Sequence, residues 1–139
     1  MKSKGFSAKQ NGIYRAPVDA GALRAAAGSA GLRWSAIDLQ RARGKRALLG
    51  AFARALAFPD TFGGNWDALA DSLQDLSWLP EPGWVLLLRG AADFAAAAPD
   101  DYAVLLEILG ATADGQRRQG HVFIVLADIA DGLPSLPVP

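Results

Sequence analysis

Three aspartates, Asp67, Asp71 and Asp75, recur at four-residue intervals in the stretch TFGGNWDALADSLQDLSW, residues 61–78. At about 100° per residue they fall within roughly an 80° sector of one helix face. Trp66, Leu69, Leu73 and Leu76 fall in a second sector of similar width, almost opposite. The apolar sector is the one to bury, which leaves the acidic one to water or to a partner. Asp67 lies in the first turn, where the helix dipole favours negative charge, but Asp71 and Asp75 gain little from it. Like charges at i,i+4 cost about 0.2–0.5 kcal/mol each. No Lys or Arg lies between residues 55 and 88 to offset them. A merely solvated face would mix signs, whereas a face of one sign fits a surface that receives a basic partner.

Little else in the chain could carry out a reaction. His121 is the single histidine. It opens a predicted strand, where a solvated ring is the simpler reading, and no catalytic triad can be built from it. The absence of cysteine excludes disulfides, thiolate metal sites and a cysteine nucleophile. RARGKR, residues 41–46, is basic enough to suggest phosphate, but a P-loop needs two glycines at fixed spacing and a Ser or Thr after its Lys. It reads instead as a solvated helix start. Asp100 and Asp101 suit a helix N-terminus better than a metal, since no His or further acid lies at ligand spacing. Trp34 and Trp84 belong to the core or its edge. No catalytic residue, cofactor or metal is therefore expected, and the chain does not read as an enzyme.

The net charge of zero conceals a strong asymmetry. Residues 1–57 hold eleven Lys or Arg against two Asp, whereas residues 58–110 hold nine Asp or Glu, among them Glu107, against Arg89 alone. Such a division bears on partners and steering rather than on fold. At 139 residues, 51% hydrophobic and 20% charged, the chain fits one soluble domain. The lack of cysteine suits the reducing cytosol. Neither a signal-peptide run nor an apolar stretch near 18 residues is visible, so a cytoplasmic location without membrane contact is expected.

Positioning the acidic helix requires a scaffold, and the apolar runs supply one. Residues 32–39, 84–90 and 121–128 read as buried strands, the last two nearly continuous in apolar side chains as in parallel strands covered on both faces. GKRALLGAFARALAF, residues 44–58, has helical spacing and stops before Pro59. The run at 99–120 opens with Pro99, Asp100 and Asp101 and closes with Arg117, Arg118 and Gly120, matching the preferences of the two helix ends. Gly63 and Gly64 allow a turn, and Asn65 is a suitable cap for a helix starting at Trp66. Ahead of the first strand, a possible short strand at Ile13 and Tyr14 precedes an alanine-rich helix from about residue 19 to 30. The tail DGLPSLPVP has too many prolines for regular structure. The expectation is an α/β fold: a small three-stranded parallel sheet with helices packed on it, an N-terminal β-α extension over residues 1–31, and a proline-rich tail from residue 128.

LAFPDTFGGNWDALADSL resembles the inhibitory segment of the barstar family, intracellular protein inhibitors of secreted ribonucleases, in its proline, aromatic-glycine turn, Asn and aspartates four apart. The preceding helix, WVLLL and GHVFIVL follow in the family's order, so the resemblance spans residues 32–127. Residues 1–31 resemble an extension seen in longer relatives. The resemblance implies inhibition without catalysis: the acidic helix plugs the active site of a basic ribonuclease, with carboxylates where RNA phosphates would sit. Asp67 and Asp71 match the two helix aspartates of the family, and Asn65 its cap. The implied partner surface comprises Thr61, Asn65, Trp66, Asp67, Ala70, Asp71, Gln74, Asp75 and Trp78. Thr61 and Ala70 stand where the founding member has aromatic residues, and a further acidic contact on the last helix falls near Asp114 or Gly115. A free monomer with no direct nucleic-acid binding is expected. Two alternatives stay open, a non-inhibitory interaction module and a nucleic-acid binder using the basic first third.

Overall fold

A strand covered on both faces must be apolar in both directions, and WVLLLR and FIVLA meet that demand at the centre of the sheet. The structure, a computed structural model, describes residues 6–129 and 132–136. After a short 3-10 turn at Ala8–Gln10 come β1 (Gly12–Arg15), α1 (Gly21–Ser29), β2 (Arg33–Asp38), α2 (Lys45–Ala55) and α3 (Trp66–Asp75). They are followed by β3 (Trp84–Arg89), α4 (Ala91–Ala97), α5 (Pro99–Arg118) and β4 (Phe123–Ala127). No helix among the described residues is long and apolar enough to cross a membrane.

The three expected strands are all parallel, but the sheet has four strands, not three, in the order β1-β4-β3-β2. The added member is β1, paired in parallel with β4 from Gly12↔Ile124 to Arg15↔Ala127. Without it the edge of β4 would leave a row of backbone donors and acceptors unpaired. Asn11 reinforces the junction: its amide donates to the carbonyls of Ala113 and His121 at 3.1 and 2.8 Å and accepts from the Phe123 N–H at 2.8 Å.

Alternation along the central strands divides the core in two. Trp84, Leu86 and Leu88 face a large cluster filled by Leu48 and Phe52 of α2, Leu69 and Leu73 of α3, Phe94 of α4, and Leu105 and Leu109 of α5. Val85 and Leu87 face the other side, where Ala27 and Leu23 of α1, Phe6 and Leu136 cover the sheet. Each fully buried Leu or Phe contributes about 1.5–3 kcal/mol. The segment before β2 thus supplies both an edge strand and most of the cover for one sheet face.

Two helix ends depart from expectation. α2 stops at Ala55 rather than running to residue 58, because Ala57 takes a left-handed conformation (φ 52°) and the Phe58 N–H reaches back to the Ala53 carbonyl at 3.0 Å. That is a Schellman-type closure, with alanine where glycine is usual. The short helix α4, which the periodicity did not suggest, follows Gly90 (φ 79°) as its N-cap residue, where a Cβ would meet the Gln40 backbone at 2.6 Å. The carboxylate of Asp128, beyond β4, accepts from the Gly90 and Ala91 N–H groups at 2.7 and 2.6 Å and so closes the N-terminus of α4. Its charge, after burial as the larger cause, holds the Tyr102 phenol above its ordinary pKa.

Candidate functional site: the acidic face of the third helix

α3 begins where its sequence says it should. The Asn65 side chain accepts from the Ala68 N–H at 2.7 Å, satisfying one of the free donors of the first turn. Leu69, Leu73 and Leu76 are fully buried, which fixes the roll of the helix. Asp67, Asp71 and Asp75 are consequently exposed. None of the three pairs with a Lys or Arg among the described residues. Trp66, on the apolar sector, is only half-buried and carries the Lys45 ammonium 5.7 Å from its ring centroid.

The C-terminal end of α3 is held by groups outside it. Leu76 ends the helix in a left-handed conformation (φ 48°) at a cost of about 1–2 kcal/mol. Complete burial of the same side chain offsets that cost. Gln116 of α5, fully buried, donates to the carbonyls of Leu73 and Gln74 at 3.0 and 2.9 Å, taking up acceptors that the last turn leaves free. Gln74 returns a bond from its own amide to the Ala111 carbonyl at 3.2 Å. Trp78, beyond the helix, donates from Nε1 to the Leu56 carbonyl at 2.9 Å and meets Phe58 edge to face at 5.8 Å.

Two recesses flank the acidic ridge, and Asp71 borders both. The first, about 270 Å³, is walled by Thr61, Phe62, Asp71, Asp75 and Trp78. The second, about 290 Å³, lies between α3 and α5 and brings Ala70, Asp71 and Gln74 against Glu107 and Ile108. Six of the nine residues singled out from the sequence line one or both recesses: Thr61, Ala70, Asp71, Gln74, Asp75 and Trp78; Asp67 lies exposed one turn before Asp71 on α3 but borders neither. Asn65 and Trp66 border neither recess; the first caps the helix and the second packs against the core. Phe62, the aromatic of the aromatic-glycine turn, and Glu107 are additions; no local pattern marks Glu107, which reaches the surface through the packing of α5 on α3.

The last helix offers Glu107 rather than Asp114 as a free carboxylate. Asp114 is engaged by Arg117 and Arg118 one turn on, while Gly115 lies directly under the Gln74 side chain. The reading of His121 as a solvated strand end also needs correction. Its ring is half-buried, stacks edge to face on Trp84 at 5.7 Å, and makes a 3.0 Å hydrogen bond with Gln116 Oε1. It thereby orients the amide that clamps α3. Arg41, Arg43, Lys45 and Arg46 are exposed around the start of α2 and pair with no carboxylate among the described residues. Among the described residues no three His, Cys, Asp or Glu are grouped so as to hold a metal ion.

Residues 32–128, from just before β2 to just after β4, match the family model described as Barstar (barnase inhibitor). The chain belongs to the barstar family, with β1 and α1 outside the matched span. A comparison with curated proteins finds no match.

Proposed function

We propose that this protein is a non-catalytic inhibitor of a ribonuclease, presenting α3 to the nuclease's basic active site. The observation that carries the reading is the row of exposed carboxylates Asp67, Asp71 and Asp75, which share one sign and lack ion-pair partners among the described residues. On the free protein such a row costs stability, and a cleft built to bind RNA phosphate turns that cost into attraction. Thr61, Ala70, Gln74 and Trp78 shape the surface around the carboxylates, and Asn65 and Trp66 fix its base. Residues 6–31 cover the far side of the sheet and take no part in the contact. Membership in a family named for inhibition of barnase supports the same reading.

The test is titration of barnase, as the probe nuclease, with the purified chain while RNA cleavage is followed. Stoichiometric loss of cleavage supports the proposal, and full activity at excess inhibitor overturns it. A second reading rests on the exposed cluster Arg41, Arg43, Lys45 and Arg46, which could meet nucleic acid. Salt-sensitive binding of single-stranded RNA, lost on neutralising those four residues, would favour it instead.

A further inference from the structure

An open parallel sheet has two outer edges, each a row of backbone donors and acceptors. At the β1 edge the chain's own tail closes part of the row: the Arg15 N–H donates to the Pro134 carbonyl at 2.7 Å, and Arg15 bridges to Ser135. The other edge is β2. Its register turns the N–H and C=O groups of Arg33, Ser35 and Ile37 towards β3, as the bond from the Arg33 N–H to the Gly83 carbonyl at 3.0 Å requires. Those of Trp34, Ala36 and Asp38 therefore point outwards, and no described residue hydrogen-bonds to them. Ala36 and Asp38 are exposed and Trp34 is half-buried, so the row is open to solvent. Edges are ordinarily blunted by proline, charge or a bulge. Between Arg33 and Asp38 there is neither proline nor charge, and the pairing with β3 runs without a bulge.

Charge selects the occupant. Arg33 opens β2, and Arg41 and Arg43 follow it. Arg33 lies 3.4 Å from Glu81, whereas Arg41 and Arg43 pair with no carboxylate among the described residues. The one acid of the strand, Asp38, is turned to the Gln40 N–H, which it accepts at 2.9 Å. A second copy paired antiparallel through β2 would bring Arg33 of each chain towards Arg41 of the other, and that like-charge approach opposes self-pairing. A strand with acidic residues at both ends meets attraction instead. We propose that the open edge of β2 takes up an extended segment of a protein partner, flanked by acidic residues, as an added antiparallel strand. Trp34, Ala36 and Asp38 then each exchange both backbone bonds with the residue opposite. Their side chains share one face, where small Ala36 leaves room for a β-branched side chain of the incoming strand. Main-chain bonds supply the affinity and the flanking arginines the selectivity. The edge shares no residue with the acidic face of α3 and constitutes a second interaction surface, of opposite charge preference.

The experiment follows amide hydrogen exchange in the isotope-labelled chain by NMR. Its probes are a Thr/Val-rich peptide flanked by glutamates, the same peptide flanked by lysines, and the glutamate peptide N-methylated through its centre, which keeps the charge but loses the main-chain donors. At saturating glutamate peptide, exchange at Trp34, Ala36 and Asp38 is expected to slow at least about fivefold, while Ser35 and Ile37, already bonded to β3, stay unchanged. The lysine and N-methylated peptides should give less than about a twofold effect. Arg41 is exposed and unpaired among the described residues, so Arg41→Gln leaves the fold intact and should weaken the glutamate peptide about threefold. No slowing with the glutamate peptide, equal slowing with the lysine peptide, slowing that survives N-methylation, or unchanged affinity in R41Q overturns the proposal. Slowing at the same three amides when the free chain is concentrated shows a second copy on the edge and overturns it as well, as does equal protection by a short single-stranded RNA. Every arm but R41Q uses the parent chain, so a folding defect cannot stand in for lost binding.

Discussion

Asp71→Ala separates the two roles an exposed aspartate can have. Asp71 is exposed, accepts no hydrogen bond and pairs with no cation among the described residues, so truncation removes no contact that holds the fold. It relieves repulsion from Asp67 and Asp75, each one turn away, by about 0.2–0.5 kcal/mol apiece. Alanine's better helix propensity adds about 0.5 kcal/mol. The sum is a gain near 1 kcal/mol. With an unfolding entropy of about 2.1 cal/mol/K per residue, a chain of this size should melt about 3 °C higher. Binding should move the opposite way. Truncating one member of a desolvated charge pair costs about 2–5 kcal/mol, or roughly thirtyfold to several-thousandfold in affinity. Differential scanning fluorimetry gives the first quantity and titration of barnase under an RNA-cleavage readout the second. A variant that loses stability and affinity together shows Asp71 to be structural, and unchanged affinity in both Asp67→Ala and Asp71→Ala shows that another surface is used.

Asn65→Ala should cost about 1 kcal/mol and lower the melting temperature by about 3 °C, because the Ala68 N–H loses its acceptor; Asn65→Asp, which keeps the cap, should melt close to the parent. Gln116→Leu leaves the Leu73 and Gln74 carbonyls without their buried donor and should reduce stability by about 2–4 kcal/mol, read from the midpoint of urea denaturation. The Tyr102 phenol is held above its ordinary value by burial and then by Asp128, so the neutral form is favoured in the folded state. Its stabilising contribution is complete below the unfolded value of about 10 and is lost as pH rises through the folded one. Tyr102→Phe should therefore flatten the decline in melting temperature above about pH 10, and an unchanged slope would refute the assignment.

What the sequence disclosed followed from repetition. β3 and β4 were legible because strands buried on both faces are continuous apolar runs, and the two faces of α3 because Leu69, Leu73 and Asp67, Asp71, Asp75 recur near the helical period. β1 was legible only as a possible short strand at Ile13 and Tyr14, which the structure bears out; GIYR is four residues long, three of them half-buried and one exposed, too short a run to place it in the sheet beside β4. α2 was read too long because its end depends on Ala57 adopting a left-handed conformation, for which alanine gives no signal. The recesses were invisible for a different reason. Glu107 lies some thirty residues beyond α3 and meets Ala70, Asp71 and Gln74 across a recess only after folding. Gln116, which clamps α3, is hidden in the polar run DGQRRQG, where nothing distinguishes a buried amide from a solvated one.

The groups that hold α3 are not the groups it displays. Burial of Leu69, Leu73 and Leu76, the Asn65 cap and the Gln116 clamp all act through its inner face or its ends. The carboxylates are attached to a helix already fixed in place, so in the proposed inhibitory role little backbone order would remain to be imposed on docking, and less of the electrostatic gain would be spent on it. The burial of three leucines outweighs repulsion within the row by about an order of magnitude, which allows an unfavourable charge pattern to persist on the free protein. Charge can therefore change at positions 67, 71, 75 and 107 without endangering the fold, and specificity for one basic partner over another can be altered there side chain by side chain. Substitution at Leu73 offers no such freedom. A cavity under the middle of α3 would cost about 3–5 kcal/mol and displace all the carboxylates at once, coupling stability to binding where the outer face keeps them separate.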